Sequence, residues 1–214
     1  MNRRFLGRVV GSMLLAGAVL AVPLAHAADE APDALVKRLS ADVLDSIKAD
    51  KSIQSGDITK IVALVDGKIM PNVNFQRMTA SAVGPGWRQA TPEQQKRLQD
   101  EFKILLVRTY SGALAQVSND QSITVKPLRA AAGDTDVMVR TEVKGKGDPI
   151  QLDYRLEKTP GQGAGWKIYN LNVLGVWLVE TYRSQFAQEI NAKGIDGLIA
   201  TLAARNQTNA GKKS

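Results

Sequence analysis

The 214-residue sequence contains no cysteine, and its only histidine is His26, near the N-terminus. Without cysteine the chain has no disulfide, no thiol nucleophile and no thiolate ligand for a metal. If the segment that carries His26 is removed, a Ser-His-Asp catalytic group and a histidine-ligated zinc site are excluded as well. Catalysis by carboxylates alone is the enzymatic chemistry that stays open.

The N-terminal residues have the three parts of a secretory signal peptide. Basic residues at positions 3, 4 and 8 precede an apolar run from Val9 to Val22, and Ala25-His26-Ala27 fits a small-x-small cleavage site. The apolar run is too short and too interrupted for a membrane-spanning helix, and no cysteine follows it to carry a lipid anchor. We therefore expect residues 1–27 to be a signal peptide that is removed on export.

The remaining chain is only mildly basic and lacks any run of like charges. Removing residues 1–27 leaves 25 basic and 21 acidic residues, which is a net charge of +4. Nucleic-acid binding would need a basic stripe interleaved with exposed aromatic residues, and the sequence has neither. No later segment approaches the ~20 consecutive apolar residues of a membrane span. The composition indicates an exported, soluble protein that does not bind nucleic acid.

The first part of the chain has the period of amphipathic helices. Apolar residues recur at steps of three and four across residues 32–50 and again from 58 to 69, where Asp57 is placed to cap the helix and Pro71 to end it. A short helix around Phe75 and Met78 follows. The clearest helix start is Thr91-Pro92-Glu93-Gln94, which has the pattern of a capping box. The wide apolar face behind it predicts a helix packed across a sheet.

From residue 121 the period changes from helical spacing to strict alternation. Four segments alternate apolar and polar residues, near 123–125, 137–143, 150–156 and 166–173, and Gly-rich turns of hairpin length separate them. These segments predict a four-stranded antiparallel sheet, curled against the preceding helix into a half-open cone. Two closing helices follow, one ending at Gly194 and one containing Leu202.

The sequence therefore predicts a single α+β domain over residues 28–205. Residues 28–90 form its helical part, residues 91–205 form the helix, sheet and closing helices, and residues 206–214 are predicted to be a disordered tail. The layout is typical of cone-shaped folds with an interior that is either filled by a core or hollow, and periodicity does not distinguish the two.

Two functions from different classes fit this layout. An enzyme would need a carboxylate and a tyrosine inside the cone, but alternation places Asp136 and Asp153 on the solvent side and only Tyr154 on the inner side. A binding protein would instead use the inner apolar residues together with flexible methionines. The apolar strand-to-helix junction over residues 173–179 favours binding, because loops are normally polar and exposed. A chaperone or adaptor for apolar peptides is the remaining alternative.

Several segments together resemble the MlaC family, also called the toluene-tolerance auxiliary family. They lie in order along the whole chain after the signal peptide and comprise FQRMT at 75–79, WRQATPEQQ at 87–95, EF at 101–102, LLVRTYSGAL at 105–114, residues 171–186 and GIDGL at 194–198. Members of this family are periplasmic phospholipid carriers of the Mla pathway. The resemblance implies a nuclear-transport-factor-like (NTF2-like) cone with added helices, a deep apolar cavity for acyl chains, and no catalytic residues or cofactor.

The resemblance also implies partners and a cellular location. The expected partners are phospholipid, an inner-membrane ABC transporter complex with an MCE-domain protein, and an outer-membrane lipoprotein-porin complex. The protein is then expected to be a periplasmic monomer that maintains outer-membrane lipid asymmetry.

The predicted lipid-contacting residues come from three places: the facing helices, the strand positions that alternation places on the inner face of the sheet, and the apolar junction. They are Val65, Ile69, Met70, Phe75, Met78, Phe102, Leu105, Leu106, Val139, Leu152, Tyr154, Val173, Leu174, Val176, Trp177, Leu178 and Tyr182. Val176 and Leu178 match the family's Gly-Val-Ser-Leu junction, whereas Trp177 replaces its small residue and Asn74 stands where the family often has Asp. Arg77, Arg88 and Arg108 are the predicted headgroup or partner contacts.

Overall fold

The structure is a computed structural model that describes residues 30–131 and 133–211. The predicted signal peptide, residues 1–27, lies outside the described residues. The described α-helices are α1 (Pro32–Ala49), α2 (Lys51–Gln54), α3 (Ile58–Leu64), α4 (Phe75–Val83), α5 (Pro92–Ala115) and α6 (Leu178–Gly211). The strands are β1 (Ser122–Val125), β2 (Asp136–Lys144), β3 (Ile150–Lys158), β4 (Trp166–Val173) and β5 (Val176–Trp177).

Side-chain caps begin the helices where the sequence predicts them. The Asp57 carboxylate accepts from the backbone N–H groups of two residues at the start of α3. At α4, where the sequence predicted no cap, the side-chain oxygen of Asn74 accepts from the backbone N–H of Arg77. At α5 both bonds of the Thr91–Gln94 capping box are present. These local bonds satisfy N–H groups that have no partner within the helix, so they set the helix starts independently of tertiary packing.

The helix predicted to run to Pro71 changes its winding before it ends. The α-helix stops at Leu64 and continues as a π-helical turn, Val65–Ile69, and then as a 3₁₀ turn, Met70–Asn72. A second 3₁₀ turn, Gly84–Arg88, follows α4. Because π turns widen the helix, residues of this segment are displaced from the regular 3.6-residue spacing.

Over residues 30–131 and 133–211 the sheet has five antiparallel strands in the order β1-β2-β3-β4-β5. The predicted number of four was wrong. The additional strand arises at the apolar junction that the sequence predicts as a strand-to-helix turn. There Val173 pairs directly with Val176, and the two residues between them, Leu174 and Gly175, have φ angles of 52° and 86°. Left-handed backbone at both central positions is typical of a tight type I′ hairpin, whose twist matches that of antiparallel strands.

A bulge changes the alternation within β4. Leu156 of β3 pairs with Ile168, whereas the preceding residue Arg155 pairs with Asn170, so one β4 residue has no partner. The extra residue reverses which face each later side chain occupies. Ile168 and Leu171, three residues apart, therefore both lie on the inner face, and strict alternation from the sequence would have placed them on opposite faces.

The last helix extends beyond the predicted end of the domain. Gly194, predicted as a helix end, has non-helical backbone with φ 70° and divides α6 into two parts. The second part continues through Gly211, so the prediction of a disordered tail from residue 206 is wrong for the described residues. Asn206 is only 5% exposed, and its amide donates to the backbone oxygen and Oε2 of Glu101 at 3.0 and 2.8 Å. This contact with α5 holds the helix end in place.

Within the part of the chain that the structure describes, three apolar clusters hold the elements together. One joins α4, α5 and α6 around Phe102, whose ring packs edge-on against Tyr182 and Phe186. The second lies between α1 and strands β2 to β4, and the third joins α1, α2, α3 and α5. The inner face of the sheet, α1, α3 and α5 surround a space between these clusters that side chains do not fill.

Candidate functional site

An apolar cavity of about 600 Å³ lies between the helices and the inner face of the sheet. Its size is within the range of small-molecule sites, which is about 300–1,000 Å³. Helix α1 contributes one side of the wall, with residues spaced three and four apart so that they share one face. Its lining residues are Val36, Leu39, Ser40, Val43, Leu44 and Ile47.

The sheet contributes the opposite wall through its inner face. Leu152 and Tyr154 alternate along β3, and Leu171 and Val173 alternate along β4 after the bulge. Leu152 pairs directly with Val173, and Tyr154 pairs with Leu171, so their side chains form adjacent rows on one surface. These rows give the cavity a continuous apolar wall.

Among the lining residues that the structure describes, polar side chains are few. Burial raises the pKa of the Tyr154 hydroxyl above its usual value, so this group is neutral at physiological pH. Ser40 of α1 is the buried polar side chain that lines the opposite wall. Two charged residues also line the cavity, Lys103 on α5 and Asp148 in the β2–β3 turn.

Ten of the predicted lipid-contacting residues line this cavity. They are Val65, Ile69, Met70, Phe75, Met78, Leu106, Leu152, Tyr154, Val173 and Leu178. They come from the π-helical turn, the 3₁₀ turn after it, α4, α5, the sheet and the start of α6, so the fold brings together residues that are distant in sequence. That they contact lipid stays a prediction.

Four other predicted residues are buried in the packed core and do not line the cavity. They are Phe102, Leu105, Val139 and Tyr182. Phe102 and Tyr182 fill the cluster between α5 and α6, and Val139 packs in the cluster beneath α1. Their spacing is correct for an inward-facing position, but the space in front of them is occupied by other side chains.

The apolar junction is placed differently from the prediction. Leu174 and Val176 are 65% and 50% exposed and do not line the cavity, because the hairpin turn carries them to the edge of the sheet. Trp177 also lies off the cavity, and its ring packs against the Arg155 guanidinium, 4.4 Å from ring centroid to carbon. Only the two flanking residues, Val173 and Leu178, reach the cavity wall.

None of the three predicted headgroup arginines lines the cavity. Arg77 is paired with Glu157 and Asp136, and its guanidinium lies 3.5 Å from the centre of the Tyr169 ring. Arg77 and Arg88 instead line a separate cleft beside α4. Arg108 is half-buried, and its Nε has no hydrogen-bond partner among the described residues. A role in headgroup binding at the cavity therefore lacks support from their positions.

The predicted position of one carboxylate was wrong. Asp136 is exposed as expected, but Asp153, predicted to face solvent, is only 6% exposed. Asp153 pairs with Arg140 of β2 on one side and with Asn172 of β4 on the other, so neighbouring strands flank it on both sides, and alternation alone does not reveal how much of that outer face is covered. The Gln151 amide donates to its Oδ2 at 2.9 Å.

Two parts of the cavity wall were not predicted from the sequence. Helix α1 was recognised as amphipathic but was not assigned to the cavity wall. Lys103 was also missed, although it precedes Leu106 by three residues and Tyr110 by seven, the spacing of a single helix face. Its position in that stripe is the signal that could have identified it.

Among residues 30–131 and 133–211, no three potential metal ligands of the His, Cys, Asp or Glu type lie together. In the same part of the chain, no helix has the length and hydropathy required to cross a bilayer.

Comparison with known proteins gives concordant matches. A family profile described as MlaC protein matches residues 37–204. The toluene tolerance protein ttg2D of Pseudomonas putida is 29% identical over 194 residues, which cover 87% of this chain and 88% of that protein. The intermembrane phospholipid transport system binding protein MlaC of Haemophilus influenzae is 24% identical over 177 residues, covering 82% of each.

A solved structure is also similar over most of the fold. It is the phospholipid-binding protein from Ralstonia solanacearum in complex with a phospholipid, with 50% sequence identity and a TM-score of 0.79. The match covers 83% of this chain and 98% of that chain.

Proposed function

The chain belongs to the MlaC family, as its sequence predicts, and we propose that it is a soluble phospholipid carrier that holds acyl chains in the cavity. The observation that carries this proposal is the apolar cavity of about 600 Å³ in a chain half identical to a protein solved with bound phospholipid. Apolar walls from α1, α5 and the sheet are suited to methylene groups, whereas a substrate for carboxylate catalysis would need polar groups beside it.

The energetics of the cargo explain why such a cavity is needed. Moving one acyl methylene out of water is worth about 0.8 kcal/mol, so a sixteen-carbon chain involves roughly 12 kcal/mol. A carrier must offer nearly the same apolar environment as the bilayer, or the lipid will not leave the membrane. Small differences in affinity between donor and acceptor then decide the direction of transfer.

The proposal includes the location and partners that the family implies. The protein is exported by its signal peptide to the periplasm, where it acts as a monomer. There it shuttles phospholipid between an outer-membrane lipoprotein-porin complex and an inner-membrane ABC transporter complex with an MCE-domain protein, and so maintains outer-membrane lipid asymmetry. The curled sheet and α5 form a nuclear-transport-factor-like cone around the cargo.

Lipid analysis of two matched variants tests the proposal. Leu152→Glu places a carboxylate in the cavity wall, and Val176→Glu places the same group on the exposed hairpin of the same sheet. We expect native mass spectrometry and solvent extraction to find phospholipid with the wild type and Val176→Glu, but not with Leu152→Glu. Circular dichroism establishes that both variants are folded.

The proposal fails if the wild type neither co-purifies with phospholipid nor accepts it from vesicles. The cavity is not the lipid site if Leu152→Glu is folded and retains the same amount of lipid as Val176→Glu.

A further inference from the structure

The cavity wall carries one cationic side chain, Lys103, among the residues that the structure describes. Lys103 lies on α5 one turn before Leu106 and Val107, which also line the cavity. Its side chain is 26% exposed, and its Nζ lies 2.8 Å from Oδ1 of Asp66 in the π-helical turn. The ammonium group therefore sits at the gap between α5 and that turn, where the cavity wall meets solvent.

We infer that Lys103 binds the phosphate of the cargo phospholipid, so that the headgroup lies at the gap between α5 and the Val65–Ile69 turn. This inference rests on the proposed function and adds to it a headgroup contact and an orientation of the lipid. An ammonium group has three donors, and Asp66 is the single described side chain that accepts from Lys103. Two donors of the ammonium group are therefore left for a phosphate.

The charged residues that line the cavity favour a phosphate at the Lys103 end over the end near Asp148. Gln116, the residue that follows the last residue of α5, also lines the cavity, and it lies thirteen residues after Lys103, which is about 20 Å along a helix axis. The lining near that end includes Asp148, Gln121 and two glycines of the β2–β3 turn. Two lysines lie close to it but do not line the cavity: Lys48 donates to the backbone oxygen of Gln121 at 2.8 Å, and Lys146 is exposed. A phosphate beside Asp148 would be repelled, whereas a phosphate beside Lys103 gains a charge-assisted hydrogen bond.

Asp66 is the natural counterion of Lys103 in the absence of cargo. Its side chain is 46% exposed, so it can turn toward water when a phosphate takes its place at the ammonium group. The exchange keeps Lys103 paired in both states and avoids leaving a charge without a partner at the cavity edge.

A competition between two lipids with the same acyl chains tests the inference. Mixed vesicles contain phosphatidylglycerol and diacylglycerol, which differ in the phosphate-bearing headgroup. We expect the wild type to take up phosphatidylglycerol in preference. Lys103→Met, which keeps the apolar stem, should lower the ratio of phosphatidylglycerol to diacylglycerol uptake about fivefold to tenfold. Lys103→Arg should restore most of the preference.

Matched controls separate a local contact from net charge. Lys68→Met removes the same charge from an exposed residue of the π-helical turn that does not line the cavity, and it should leave the ratio unchanged. Asp66→Asn should maintain or increase the ratio, because it removes the competing acceptor.

Two results would overturn the inference. One is an unchanged ratio in Lys103→Met, which would show that the phosphate lies elsewhere. The other is a change in Asp148→Asn that exceeds the change in Lys103→Met, which would place the headgroup at the opposite end. Failure of the wild type to take up either lipid would instead refute the proposed function, and the inference with it.

Discussion

Val173 and Val176 pair directly across a two-residue turn, and only Val173 lines the cavity. The turn between them places a leucine, Leu174, at a φ of 52° and leaves it 65% exposed. Left-handed backbone is unfavourable for residues with a Cβ. Because the Leu174 side chain is mostly exposed, its burial does little to offset this cost. The hairpin thus has a conformation that its own sequence does not favour at this position.

Leu174→Asn is therefore expected to stabilise the protein. Asparagine followed by glycine is the preferred pair for a type I′ turn, and the change should raise the free energy of unfolding by about 0.5–1 kcal/mol. Urea unfolding followed by circular dichroism measures the effect. Gly175→Ala serves as the opposite control and should destabilise, because alanine would have to adopt a φ of 86°. Equal stability of all three proteins would argue against the left-handed turn.

Tyr169, whose ring stacks against the Arg77 guanidinium, should make the unfolding free energy depend on pH. Burial, together with the hydrogen bond that Tyr169 donates to Asp136 at 2.7 Å, raises the pKa of Tyr169 to about 12, from an ordinary value of 10. Because the folded pKa is the higher one, the contribution to stability is complete below pH 10 and is lost as the pH rises through 12. The unfolding free energy of the wild type should fall more steeply between pH 10 and 12 than that of Tyr169→Phe.

Absorbance at alkaline pH checks the same prediction directly. The difference between the wild-type and Tyr169→Phe titration curves should have its midpoint near pH 12. A midpoint near pH 10 would contradict it.

Truncation of Phe102 and of Leu106, one turn apart on α5, should affect different properties: the first stability and the second lipid retention. Phe102 is fully buried among aromatic rings, so Phe102→Ala should lower the unfolding free energy of lipid-free protein by about 3–5 kcal/mol. Leu106 lines the cavity, and Leu106→Ala should cost much less stability but change lipid retention. Chemical unfolding and lipid extraction measure the two effects. A similar loss of stability in both variants would mean that the space beside Leu106 is filled.

The end of α6 is expected to be part of the folded domain. Asn206→Ala removes two hydrogen bonds to Glu101 from a buried position and should cost about 1–2 kcal/mol of stability. Thermal unfolding of this variant can be compared with that of Thr208→Ala, which alters an exposed residue of the same helix. If both are as stable as the wild type, the contact between α6 and α5 does not contribute.

The sequence by itself determined the features that depend on neighbouring residues. The capping box at Thr91 and Gln94 sets the start of α5, alternation sets β2 and β3, and Gly194 marks the break in α6. Each follows from hydrogen bonds or backbone preferences within a few residues, so tertiary context was not needed. The family resemblance, carried by ordered segments along the whole chain, was also available from the sequence.

Only the tertiary structure decided which apolar residues enclose space and which fill it. Phe102 and Leu106 belong to the same helical stripe, but α4 and α6 pack over the first and leave the second facing the gap below the sheet. Periodicity indicates the direction in which a side chain points. It carries no information about how far away the side chains of the facing element lie. The prediction that the junction at residues 173–178 lines the cavity was wrong for most of its residues, for a related reason. Its apolar composition indicated burial, whereas pairing of Val176 with β4 carried it to the exposed edge of the sheet.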